Sequence, residues 1–180
     1  MKNLKMFVIF FLPALLFWGC EKNVNSGSQI TNPPPATSSD VPPATLNNLA
    51  PDFTLPDLNG NQVSLKDFRG QTVLLVFWGS RCPICLDEIP ELEKIEEEYR
   101  DKKFKLITIN ADLNIDKAKK FVAAKGIKHL VLVDDPDYRA ATSYKVRAYP
   151  LAKFVIDHEG YLQSSGELTK VRQRLAELIK

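Results

Sequence analysis

The chain has 180 residues, 44% of them hydrophobic and 26% charged, which suffices for one well-filled globular domain with additional segments and is too little for two full domains. Its 24 basic and 22 acidic residues give a formal charge of +2, and without Lys2 and Lys5 the two signs balance. A basic nucleic-acid surface is excluded, and no nucleic-acid partner is expected.

The first residues stand apart from any domain. Lys2 and Lys5 form a charged start, Met6 to Trp18 are almost wholly apolar, and Gly19-Cys20 follow, so 1–19 read as a secretory signal peptide. The apolar run is short for a bilayer span, which needs about 20 residues, and Pro13 interrupts it. Phe17-Trp18-Gly19-Cys20 resembles the lipobox of bacterial lipoproteins, with Phe17 and Trp18 where that motif carries Leu and a small residue. The resemblance implies cleavage before Cys20 and lipid on its sulfur. A cut elsewhere that leaves Cys20 free, or retention as a short anchor, would equally export the rest of the chain.

Residues 20–48 form the lipidated Cys and a flexible tether, rich in Asn, Ser, Thr and Pro and including Pro33-Pro34-Pro35 and Pro42-Pro43. As a coil this segment spans roughly 30 Å. The domain is expected over 49–180. Phe53-Thr54-Leu55 and Gln62-Val63-Ser64-Leu65 flank Asn59-Gly60, which signals a hairpin with a type I′ turn. Thr72 to Trp78 reads as a buried strand. From Leu86 to Arg100 the period is helical, with Ile89, Leu92, Ile95 and Tyr99 on a core face and Glu91, Glu93, Glu96, Glu97 and Glu98 largely on a solvated one. Pro90 falls inside this helix, where it removes one hydrogen bond and is expected to kink the axis.

Phe104 to Ile109 reads as a second core strand. Ile115, Ala118, Phe121 and Val122 mark a helix stopped by Gly126, and Leu130 to Val133 is a short apolar strand. Asp134-Asp135-Pro136-Asp137 turns into a short helix ending near Tyr144. Leu151 to Ile156 and Tyr161 to Ser164 make a hairpin around His158-Glu159-Gly160, and Leu168, Val171, Leu175 and Leu178 line a last helix. Strands separated by helices imply parallel pairing with helices on both faces of a sheet.

The chemistry lies between the first core strand and the helix after it. Cys82-Pro83-Ile84-Cys85 puts two thiols one helical turn apart, with Cys82 at the helix start. Unpaired backbone N–H groups and the positive end of the helix dipole there favour thiolate, the reactive form. A CxxC pair is also half of a zinc site, but zinc needs four ligands; Cys20 lies across the tether, and His129 and His158 stand alone in strand-edge and turn contexts. No metal and no cofactor is expected.

The buried strand, the Trp78-Gly79-Ser80-Arg81-Cys82-Pro83-Ile84-Cys85 run, the helix with Pro90, and Tyr149-Pro150 before a late strand together resemble the thioredoxin-like fold over about Leu49 to Lys180. Within it the chain is most similar to the membrane-tethered extracytoplasmic thiol-disulfide oxidoreductases of the TlpA, ResA and CcmG group. That likeness rests on Ala50-Pro51-Asp52-Phe53, Phe77-Trp78-Gly79, Glu88 three residues after Cys85, and the insertion between Asn110 and Asp134. The fold implied is α/β: a central mixed sheet with helices on both faces, an N-terminal β-hairpin extension and a central strand-helix insertion.

Several residue roles follow from the resemblance. Cys82 attacks and Cys85 resolves the mixed disulfide, the two forming the redox disulfide. Glu88 relays protons as a partly buried carboxylate, the other reading being a solvent-facing glutamate beside Asp87. Thioredoxins carry an aspartate six residues before the first cysteine; here that position is Val76. Pro150 is implied to be cis and the backbone of Tyr149 to pair with substrate. Trp78, Pro83 and Arg81 modulate the site; Arg81, where the family commonly has an aromatic residue, either favours the Cys82 thiolate or points to solvent.

The implied function is reduction of disulfides in exported proteins, with cytochrome c maturation as one setting. The partners are protein disulfide or dithiol substrates, a membrane dithiol electron donor, and the membrane itself through the N-terminal lipid, on the periplasmic or extracytoplasmic side. The alternatives are an oxidase of the same fold, a peroxiredoxin-like antioxidant and a binding module with a static disulfide. Potentials of such proteins span about 150 mV, so CxxC alone does not set direction. Peroxiredoxins need Pro-x-x-x-Thr-x-x-Cys, where this chain has Leu75 and Gly79.

Overall fold

The computed structural model describes residues 46–147 and 152–180. The expected signal peptide, Cys20, most of the tether, and Tyr149 and Pro150 lie outside these residues.

Seven consecutive residues of strand β3 (Thr72–Trp78) are buried, because both faces of this strand are covered. That is why it reads as an unbroken apolar run rather than an alternating one. It centres a five-stranded sheet ordered β5-β4-β3-β6-β7, with β4 (Phe104–Asn110) and β5 (Leu130–Val133) parallel to it. On the other side β6 (Ala152–Ile156) pairs antiparallel with β3, and β7 (Leu162–Ser165) antiparallel with β6, so the sheet is mixed.

Strand alternation sends β3 side chains to two cores. Leu74, Val76 and Trp78 join Ile89, Leu92 and Ile95 of α1 (Pro83–Glu98), Val122 of α2 (Ile115–Lys125) and Val171 and Leu175 of α4 (Leu168–Leu178). Val73, Leu75 and Phe77 face the other way, against Ala140 and Ala141 of α3 (Arg139–Ser143) and the N-terminal hairpin. The second face is therefore covered by one short helix and the hairpin together.

That hairpin pairs β1 (Thr54–Pro56) with β2 (Gln62–Ser64) as expected, but not through a type I′ turn. Five residues connect the strands; the Asp57 carboxylate accepts from the Asn59 and Asn61 N–H groups, and Gly60 alone in the loop has positive φ. A type I′ turn needs positive φ at both central residues, and the Asp57 side chain provides a different closure.

The helix boundaries follow local chemistry. Asn114 caps α2 by accepting from Lys117 N–H, and Gly126 ends it at φ 68°. The Asp134 carboxylate accepts from the Ala140 and Ala141 N–H groups at the start of α3. Pro90 lies inside α1 on its exposed side. The glutamate face of this helix is less uniformly solvated than its pattern implies: Glu93 and Glu96 are half-buried, reaching His129 and Lys105.

Candidate active site

Cys82 is the N-cap of α1, with extended backbone (φ −102°, ψ 99°), and Pro83 occupies the first helical position, where a missing N–H costs nothing. Cys82 is half-buried and Cys85 fully buried. The two are joined as a disulfide with Cα atoms 5.2 Å apart, and the Cys85 N–H donates to Cys82 Sγ at 3.3 Å. The outer sulfur is thus the one that meets both solvent and the helix N-terminus.

The loop before Cys82 is held from the side. Asp112, just after β4, accepts from Ser80 N–H at 2.9 Å and from its hydroxyl at 2.9 Å. Asn110 donates to the same carboxylate at 3.1 Å and accepts from Leu113 N–H at 3.0 Å. Trp78 is buried, its indole N–H donating to Thr108 Oγ1 at 3.2 Å while its ring packs on Phe121. Sequence reasoning missed Asp112 and Asn110; a polar pair directly after a core strand was the available signal.

Arg81 points to solvent, its side chain 91% exposed, with Nε 3.8 Å from Asp112. Glu88 is half-buried and not solvent-facing: its Oε2 lies 2.7 Å from Lys153 Nζ on β6. Lys153 was also missed, although a charge inside the apolar run Ala152-Lys153-Phe154-Val155-Ile156 is a signal. His129, read as an isolated strand-edge residue, is buried. Burial lowers its pKa from 6.5 to about 4 against the opposing pull of Glu93.

Beside the disulfide opens a groove of about 700 Å³, lined by Cys82, Ile84, Tyr138 and Val146 with Arg81 and Arg147 at its sides. Ile84 and Tyr138 are exposed there. Among the described residues no cluster of three His, Cys, Asp or Glu side chains could hold a metal, and no helix is long and apolar enough to cross a membrane.

A mixed sheet whose central parallel strand leads into a Cys-capped helix, with a second cysteine buried one turn on, defines a thioredoxin-like thiol-disulfide oxidoreductase. The chain belongs to the AhpC/TSA family, whose model matches residues 46–165. It is 36% identical over 123 residues to the thiol-disulfide oxidoreductase ResA of Bacillus thuringiensis, covering 67% of this chain and 70% of that one. Among solved structures, the thioredoxin domain of a Bacteroides vulgatus thiol-disulfide oxidoreductase superimposes with a TM-score of 0.69 at 26% identity, over 76% of this chain and 99% of that one. The pneumococcal exposed lipoprotein thioredoxin of Streptococcus pneumoniae gives 0.61 at 31% identity, over 71% and 99%.

Proposed function

We propose that this chain is a membrane-tethered extracytoplasmic reductase of disulfides in exported proteins, with the haem-binding cysteines of apocytochrome c as a candidate substrate class. One observation carries the chemistry: Cys82 caps a helix at the mouth of an apolar groove while Cys85 is buried directly behind it. The Cys82 thiolate attacks a substrate disulfide, forming a mixed disulfide and releasing one substrate thiolate, which takes a proton from water. Cys85 then gives its proton to Glu88 and attacks Cys82 Sγ. The Cys82–Cys85 bond forms, the substrate sulfur leaves as thiolate and is protonated, and two electrons have passed to the substrate. A dithiol donor at the membrane restores the reduced pair.

Further assignments complete this reading. Residues 1–19 are the signal, Cys20 bears the lipid, 20–48 are the tether, and the domain occupies 49–180 on the periplasmic or extracytoplasmic side; the likeness to an exposed lipoprotein thioredoxin supports the anchoring. Pro150 is the cis proline and the backbone of Tyr149 pairs with the substrate backbone, assignments supported by the family resemblance. Trp78 and Pro83 shape the approach to Cys82.

The test is a Cys85→Ser variant expressed in cells, with its disulfide-linked partners identified by mass spectrometry. Exported proteins joined through Cys82 are expected; an absence of any adduct sinks the proposal. The mass of the mature chain tests lipidation at Cys20, and equilibration against glutathione tests reduction against oxidation.

A further inference from the structure

A lysine on the central sheet faces the helix that carries the active-site cysteines. Lys153 is 4% exposed. It pairs across β3–β6 with Val76, the position at which thioredoxins carry their buried carboxylate, and two residues along the strand Val155 pairs with Leu74. Val76, Leu74 and Val155 belong to the same hydrophobic cluster as Cys85, and strand alternation puts Lys153 on that side of the sheet. Its ammonium meets Glu88, which lies three residues beyond Cys85 on α1 and so neighbours it on the helix surface. A buried ammonium without a counter-charge is strongly unfavourable, so the two side chains are mutually dependent.

We propose that Lys153 is a positioning residue for thiol-disulfide exchange: its ammonium holds the Glu88 carboxylate in place beside Cys85 and balances its charge, so that a thiolate can form on the buried sulfur. This rests on the exchange reading above. A carboxylate alone beside Cys85 opposes a second negative charge; an ammonium alone favours it; the pair leaves the thiol close to neutral surroundings. Lys153 Nζ engages Glu88 Oε2 at 2.7 Å, and a carboxylate has two oxygens with about four acceptor sites, so it retains capacity for the Cys85 proton.

The other charged groups around this layer are engaged elsewhere. On α1, Glu91 pairs with Lys94 and Arg172, Glu93 faces His129, Glu96 meets Lys105 on β4, and Asp87 is exposed. From α4, Arg172 also reaches Glu98, and Arg174 binds Glu177 and Gln163.

The experiment titrates Cys85 in the full chain carrying Cys82→Ser, using a small methanethiosulfonate reagent and locating the modified cysteine by peptide mass spectrometry. Lys153→Met is expected to move the pH midpoint of Cys85 modification up by about one unit and Glu88→Gln to move it down. The double variant returns close to the parent, and Lys153→Arg preserves the parent profile. An unmoved midpoint in folded Lys153→Met, or shifts of the same sign in the two single variants, overturns the proposal. If Lys153→Met does not fold, Glu88→Gln decides, since a midpoint that fails to fall overturns it equally. Because the titration needs no turnover, it is separate from insulin reduction by the wild-type protein, whose failure would count against the exchange reading alone.

Discussion

The Cys85 backbone N–H donates to Cys82 Sγ over 3.3 Å, so the outer sulfur of the pair is also the cap of helix α1. In the reduced protein the same donor, with the helix dipole behind it, favours charge on Cys82 and offers nothing equivalent to Cys85. Alkylation followed by peptide mapping should find Cys82 modified first at pH 6 to 7, by about tenfold or more over Cys85. Equal labelling of the two would show that the cap does not activate its sulfur.

Asp112 fixes the approach to that cap from the loop just after β4. Asp112→Ala removes the acceptor for Ser80 N–H, Ser80 Oγ and Asn110 Nδ2. The partly exposed site lets water replace some of these bonds, so a loss of about 2 kcal/mol is expected by denaturant titration. Exchange activity should fall further than stability alone explains, because the loop carrying Cys82 loses its lateral support. A variant with unchanged stability and turnover would show that the loop holds itself.

Tyr144 ties the opening segment of the domain to the far face of the sheet. Its hydroxyl donates to the Pro51 carbonyl at 2.8 Å, while its ring contacts Phe77 and Phe154. Burial holds its pKa far above the ordinary range, so it stays a neutral donor. Tyr144→Phe keeps the ring contacts and orphans a buried carbonyl, which should cost about 1 to 2 kcal/mol. A chemical melt that does not move would show that water takes over the carbonyl.

His129 makes the domain sensitive to acid. Its pKa falls from 6.5 to about 4 on folding, because burial penalises the imidazolium more than Glu93 favours it. Between these values the unfolded chain binds the proton and the folded chain does not. Stability from this group is therefore full above pH 6.5 and is lost as the pH falls towards 4, by about 2 kcal/mol at pH 5. Asp134, whose pKa burial raises, acts in the opposite sense just above its ordinary range, so the comparison must be made with a variant. Neither His129 nitrogen has a hydrogen-bond partner among the described residues, so His129→Leu strands none. That variant should lose less stability than the parent between pH 7 and pH 5, and parallel pH curves would count against this assignment.

The parts of this molecule legible in the sequence are those governed by local rules. The unbroken apolar run from Thr72 to Trp78, Cys82 ahead of a helical period and Gly126 after one each announce a single element, and each element is where the pattern puts it. What the pattern hides depends on partners far along the chain. Glu88 faces inward because Lys153, 65 positions later, comes beside Val76 through β3–β6 pairing. Ser80 is held by Asp112 because β4 lies parallel to β3. The hairpin turn departed from the Asn-Gly expectation for a local reason, since Asp57 closes a longer loop with its own carboxylate.

Arg81 gives the last expectation. With its side chain 91% exposed and Asp112, at 3.8 Å, its only close counter-charge among the described residues, it acts through solvent and so is screened by salt. Arg147 is exposed on the same groove, and the Asp112 carboxylate is already shared by Ser80 and Asn110. The groove therefore presents net positive charge to an incoming chain. Peptide disulfides flanked by Asp or Glu should be reduced faster than Lys-flanked ones, by about threefold to tenfold in kcat/KM at 10 mM salt, and nearly equally at 0.5 M. Arg81→Trp should shrink the low-salt preference chiefly through KM. A preference that survives 0.5 M salt, or one that Arg81→Trp leaves whole, would place the discrimination in direct contacts rather than in this field.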